Sequence, residues 1–172
     1  MVFLTEQKSE IVSKGTFLLK QGNLCKTVYK VVKGCLKSYV IDNADKEHIL
    51  QFAPEGWYIS DLDSFVNSKP TKIFIEAIEQ TEVLHLIKPT QKITQPEDYG
   101  KLLEVADICI NNIISTNKRL IGLLSATALE RYIEFTQTYP SLVQRLPLKL
   151  IASYIGITPE YLSEIRRKIA HK

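Results

Sequence analysis

The hydrophobic period of the chain changes once, near Pro96, and that change does most to limit the folds open to it. Before it, apolar and β-branched residues come in short runs broken by turn residues. Thr16 to Leu19 precedes Gln21-Gly22-Asn23, Val28 to Val32 precedes Lys33-Gly34, Cys35 to Ile41 precedes Asp42-Asn43-Ala44-Asp45, and His48 to Phe52 precedes Pro54-Glu55-Gly56. Ile73 to Ile78 and Glu82 to Ile87 follow a polar stretch. Such runs predict an antiparallel sandwich or barrel from Gly15 to about Lys88, with no parallel α/β layer. After Pro96, Leu103, Ala106, Ile110, Ile113, Asn117, Leu120 and Leu124 recur in steps of three and four, the spacing of one stripe on a long helix. The fold class predicted is therefore α+β: an N-terminal antiparallel, jelly-roll-like β-roll in residues 1–96, a long helix in 97–124 and a helical C-terminal domain in 125–172.

The stripe on the long helix has two readings. It can pack on the chain's own β domain, or it can meet a second copy as a dimer interface. Val105, Ile108, Ile114 and Ile121 widen it beyond a single seam, so one helix can serve both surfaces. Asn117 is a polar residue at a core position, which in a coiled coil fixes register and oligomeric state.

The most specific motif runs from Leu148 to Lys168. Pro147 suits a helix start, small Ala152 lets a second helix approach, and Gly156 supplies the left-handed conformation of a tight turn. Thr158, Pro159 and Glu160 restart a helix with a hydroxyl cap, a proline at the first position and a carboxylate in the positive first turn. Ile151, Ile155, Ile157, Leu162 and Ile165 fall where two crossed helices bury them. The pattern predicts a helix-turn-helix, whose second helix enters the major groove of DNA. Thr158, Glu160, Tyr161 and Ser163 are then candidates to face bases, and Arg166, Arg167 and Lys168 to bind guanine edges or phosphates. The alternative is a ligand-binding or protein-interaction module whose helix-turn-helix does not read DNA.

Charge distribution points the same way. Met1 to Ser125 carries 15 Lys and Arg against 15 Asp and Glu, and Ala126 to Lys172 carries 7 against 4, so the whole net charge of +3 sits in the C-terminal part. A basic segment on a neutral body fits a polyanionic partner. The cysteines Cys25, Cys35 and Cys109 and the histidines His48, His85 and His171 are too scattered for a metal or cluster site, and no cofactor is expected. His48 and His85 do not make a cupin-type site. Glu76 and Glu79 are expected to face solvent rather than form an acid/base pair, so an enzyme is not expected. No run is long enough to span a membrane, and the N-terminus lacks a basic segment followed by a long apolar one; the expectation is a cytoplasmic protein without a membrane partner.

Across nearly the entire chain, this order of parts resembles the CRP/FNR family of bacterial transcription regulators. The residues that carry the resemblance are Gly15, Gly22, Gly34 and Gly56 at the turns of a cyclic-nucleotide-binding-like β-roll, Val28 to Gly34 as its strand and turn, and Ala152 to Arg167 as the DNA reader. The resemblance implies a homodimer through the long helix, double-stranded DNA with a two-fold symmetric operator as partner, and contact with RNA polymerase. It also implies an unidentified small-molecule effector sensed in the β-roll, with Ser60, Asp61, Leu62, Thr71 and Lys72 as pocket candidates. Ser60-Asp61-Leu62 stands where cyclic-AMP-binding members carry Gly-Glu-Leu, and Thr71-Lys72 where they carry Arg-Ser. One lysine replaces a bidentate arginine fork poorly, so cyclic AMP is not the expected effector. In the reading helix, Glu164 stands where the family often has arginine, which changes the expected operator.

Overall fold

The computed structural model describes residues 5–87 and 97–170. His171 and the boundary expected at residue 96 lie outside the described residues. Among those described, eight strands precede the long helix: β1 (Thr5–Val12), β2 (Phe17–Leu19), β3 (Thr27–Lys33), β4 (Leu36–Ile41), β5 (Glu47–Ala53), β6 (Tyr58–Ile59), β7 (Phe74–Ala77) and β8 (Thr81–Ile87). A short helix, α1 (Leu62–Asn67), lies between β6 and β7. The strands form two four-stranded antiparallel sheets, in the orders β1-β8-β3-β6 and β2-β7-β4-β5. Alternation along the strands sends one set of side chains inward: in β7, Ile75 and Ala77 are buried while Phe74 and Glu76 are partly exposed. Val31, Leu36, Ile59, Ile75 and Val83 belong to one buried cluster.

Gly34, at the turn from β3 into β4, has φ +93°, and a Cβ there would stand 2.5 Å from the carbonyl oxygen of Gln80 and 2.7 Å from Thr81 Oγ1. Only glycine fits, because both the backbone conformation and the approach of the β7–β8 turn exclude a side chain.

The helices follow as α2 (Glu97–Ser125), α3 (Ala128–Thr138), a 3-10 turn at Pro140–Leu142, α4 (Leu148–Ile155) and α5 (Pro159–Ala170). The break between α2 and α3 is a capping box. Thr127 Oγ1 accepts from the Glu130 amide at 3.3 Å, and the Glu130 carboxylate accepts from the Thr127 amide at 2.7 Å.

β5 is the last strand of its sheet, and the helical part covers its open edge. Ser153 of α4 donates its hydroxyl to the Glu47 carbonyl at 2.8 Å and accepts from the Ile49 amide at 3.2 Å. Arg119 of α2 donates to the carbonyls of Ile49 at 2.7 Å and Leu50 at 2.8 Å. Edge-strand groups that would otherwise need water or another chain are thus satisfied within the molecule. Beneath this edge, Cys35, Tyr39, Ile49 and Phe52 share a buried cluster with Tyr132, Phe135, Tyr139, Leu142, Ile151 and Tyr154. The Phe52 ring lies 5.4 Å from that of Tyr154, 6.0 Å from Tyr139 and 6.3 Å from Phe135, centroid to centroid. The β-roll and the C-terminal helices therefore share a core.

The expectation that Glu76 and Glu79 face solvent is corrected for Glu76. Glu76 accepts from the Tyr39 hydroxyl at 3.0 Å and pairs with buried Lys37 at 3.2 Å, because a buried ammonium needs a counter-charge. Glu79 pairs with Arg145.

Candidate functional site

The motif at the C-terminal end folds as two helices joined by a tight turn. Gly156 ends α4 with φ +73°, and its amide donates back to the Ala152 and Ser153 carbonyls. The Ile157 amide donates to the Ala152 carbonyl at 3.0 Å, closing the turn. Thr158 Oγ1 accepts from the Tyr161 amide at 3.2 Å, so α5 begins with the hydroxyl cap that the sequence predicts. Leu162 and Ile165 are buried against Ile151 and Ile155, which fixes how α5 is rotated.

With those two facing inward, the helical period turns Glu160, Ser163, Glu164 and Arg167 farthest outward and puts Arg166 on one flank and Tyr161 and Lys168 on the other. All seven are exposed. Ser163 donates to the Pro159 carbonyl at 2.9 Å, a bond within its own helix. Among the described residues, no ion pair engages Arg166, Arg167 or Lys168. The outermost row thus contains two carboxylates and one guanidinium. Glu164 belongs to it by helical spacing alone, a signal the sequence already carried.

On α2 the predicted stripe of Leu103, Ala106, Ile110, Ile113, Asn117, Leu120 and Leu124 is exposed throughout. Leu124 is 80% exposed, Leu103 66% and Ile113 59%. Ile114 and Ile121 extend this apolar face, while Val105 and Ile108 are partly buried. The stripe does not pack on the chain's own β-roll.

Of the five effector-pocket candidates, the structure brings Asp61 and Thr71 together and leaves Leu62 and Lys72 exposed. The Thr71 hydroxyl, which is buried, donates to Asp61 Oδ2. Asp61 Oδ1 accepts from the Ser64 amide at 3.1 Å and caps α1. Ser60 donates to the Thr27 carbonyl at 3.1 Å. Donors that would meet a ligand phosphate are thus spent on a carboxylate of the chain itself. Only Ser60 of these five lines an open cavity of about 550 Å3, which lies between the β-roll, α2 and the C-terminal helices. The cysteines are free; Cys25 and Cys35 are buried, and burial first of all pushes the Cys35 thiol up to about 12.

Class follows from these parts: a small antiparallel β domain, a long helix with an exposed apolar stripe, and a docked helical end that presents charged residues. Residues 10–90 match the family model of the cyclic nucleotide-binding domain. Among solved structures, FixK2 from Bradyrhizobium japonicum superposes with a TM-score of 0.76 at 18% identity, over 98% of this chain and 86% of that one. The c-di-GMP responsive global regulator CLP of Xanthomonas campestris gives 0.72 at 15% identity, over 95% and 86%. A CRP/FNR family transcriptional regulator from Thermus thermophilus gives 0.67 at 14% identity, over 95% and 86%. No curated protein matches the chain in sequence. Residues 10–90 are thus similar to a cyclic nucleotide-binding domain, and the chain has the fold of solved CRP/FNR family transcriptional regulators.

Proposed function

We propose that the chain is a non-enzymatic, sequence-specific DNA-binding transcription regulator that acts as a homodimer, with effector control through the β-roll by a signal other than cyclic AMP. The observation that carries this reading is the outward row of α5. Its charged and polar residues are solvent-facing, and Arg167 in the row and Arg166 and Lys168 on its two flanks have no ion-pair partner among the described residues.

In this reading α4, the turn and α5 form a helix-turn-helix. Phosphate contacts from Arg166 and Lys168 position the module, and the row of Glu160, Ser163, Glu164 and Arg167 reads base edges. Carboxylates accept from the cytosine amino group and arginine donates to guanine, so the operator half-site is expected to be rich in C·G pairs. The exposed stripe on α2 supports dimerisation, since a continuous apolar face of this length is seldom left in water. Two copies joined there would present their reading helices to half-sites about 34–36 Å apart, one turn of DNA. An effector then acts by changing how the helical end sits on the β-roll and α2, and thereby the spacing of the two readers.

Fluorescence anisotropy with duplex DNA at several salt concentrations tests the reading. Phosphate contacts release counterions, so binding should weaken steeply with salt, and the double variant Arg166→Ala, Arg167→Ala should bind more weakly with a flatter salt slope. Unchanged affinity and slope in that variant would remove α5 as the DNA reader.

A further inference from the structure

The cavity of about 550 Å3 has the size of a small-molecule site, for which roughly 300–1,000 Å3 is usual. Its two sides differ in chemistry. The β-roll and the C-terminal helices contribute an apolar, aromatic wall that includes Leu50, Trp57, Ile73 and Tyr139. The α2 side is polar, with Asn112, Ser115 and Arg119, and among the described residues no aspartate or glutamate lines the cavity.

Among the described residues, Arg119 is the one charged residue of that lining. Four of its N–H groups are taken by neutral carbonyls: Nε and Nη2 both donate to Tyr154, Nη2 to Ile49 and Nη1 to Leu50. The second N–H of Nη1 has no acceptor among the described residues, and none of their carboxylates forms an ion pair with this guanidinium. A cation this enclosed, held by carbonyl dipoles and the Tyr154 ring with no carboxylate beside it among the described residues, attracts one negative charge more strongly than a surface arginine does. Asn112 and Ser115 likewise make no side-chain hydrogen bond among the described residues and are free to bind a polar group.

We infer that this cavity binds a small carboxylic acid with an apolar body, its carboxylate on Arg119 and its body against Trp57 and Tyr139. A monoanion matches the single cation. A phosphate monoester, with a charge of about −1.5 to −2, would remain under-neutralised there. The site is separate from the Asp61 and Thr71 pair, which does not line it. Its walls come from the β-roll, α2 and the C-terminal helices together, so occupancy changes the contacts that seat α3 to α5. That regulatory consequence rests on the function proposed above; the binding itself does not.

Trp57 is the single tryptophan of the chain and lines the cavity, so its emission reports occupancy in the intact protein without DNA. The probes are 4-phenylbutyrate and 4-phenylbutan-1-ol, which share an apolar body and differ in charge. The acid is expected to saturate one site per protomer and to bind about tenfold or more tightly than the alcohol, as a charge-assisted hydrogen bond gives. Arg119→Gln should abolish that preference. Because Arg119 also ties the helices to β5, Ser115→Phe provides a second variant that keeps the guanidinium and fills the space, and it should lose both probes. Equal affinity of acid and alcohol, unchanged binding in Ser115→Phe, or no response to the acid at millimolar concentration each overturns the inference. If the acid binds as described but leaves DNA affinity unchanged, the site stands and its regulatory consequence fails.

Discussion

Arg119 lies over the ring of Tyr154, 4.1 Å from guanidinium carbon to ring centroid, and donates to the carbonyl of the same residue at 2.8 Å. The pair joins the C-terminal part of the long helix to α4, and the same guanidinium reaches the edge of β5. Burial lowers the pKa of Arg119 and raises that of Tyr154.

Removing this clamp should loosen the whole seam. Arg119→Ala leaves the Ile49, Leu50 and Tyr154 carbonyls without their donor, and the expected loss is about 2–3 kcal/mol of unfolding free energy. Urea denaturation measures it. A loss below about 0.5 kcal/mol, the size of an ordinary surface substitution, would show that water replaces the guanidinium freely.

Acid should weaken the seam at a second point. Arg145, in the loop before α4, donates to Glu55 at 2.9 and 3.1 Å and pairs with Glu79 in the β7–β8 turn. The hydrogen bond from Arg145 is the main cause holding the Glu55 carboxyl below its usual range. A lowered folded-state value means that this contribution is complete above the unfolded value, roughly pH 4.3, and disappears as pH falls through the lower folded one. The pair is solvent-accessible, so its worth is about 1 kcal/mol or less. Urea midpoints measured from neutral pH down to acid should fall more steeply for the parent than for Arg145→Met. Parallel curves would contradict the linkage.

Cyclic AMP should not bind. The Thr71 hydroxyl and the Ser64 amide both serve the Asp61 carboxylate, and a phosphate brought there would meet a negative charge instead of an arginine fork. Calorimetric titration is expected to show no heat of binding up to about 1 mM, the level at which binding would be worth only about 4 kcal/mol. A saturable heat at micromolar concentration would mean that the Asp61 and Thr71 pair opens to admit the nucleotide.

The exposed stripe of α2 predicts its own partner, a second copy of the chain. Ile113→Glu with Leu120→Glu puts a carboxylate at two positions of the face, and sedimentation equilibrium should find the parent dimeric and the variant monomeric at micromolar concentration. A parent that is monomeric under those conditions would defeat the dimer mechanism.

Much of this architecture was legible in the residues, for reasons that can be named. The strands from β2 to β8 that carry β-branched and aromatic runs announce themselves because one face of each must be buried. β1 does not: Thr5-Glu6-Gln7-Lys8-Ser9-Glu10 has no apolar face, and its strand form comes from pairing with β8 at a sheet edge. The helix α1 was hidden in the polar stretch after β6, being six residues long and dependent on the Asp61 cap. The α4 and α5 boundaries were legible because Gly156, Thr158 and Pro159 act locally. Arg119 was not, since in the sequence it is one more polar residue on a helix, and its task appears only when β5 and α4 meet it. The partner of Glu76 was equally hidden, because Lys37 and Tyr39 lie on β4, far from it in sequence.

Selection of bound fragments from a random duplex DNA pool, carried out at two salt concentrations, decides whether α5 reads a DNA sequence. A dimeric reader built as described should enrich a two-fold symmetric sequence with half-sites about one helical turn apart, roughly 34–36 Å, and keep it at the higher salt while non-specific fragments are lost. Enrichment of no sequence, with only weak binding that salt abolishes, would contradict the assignment of α5 as a reader of DNA.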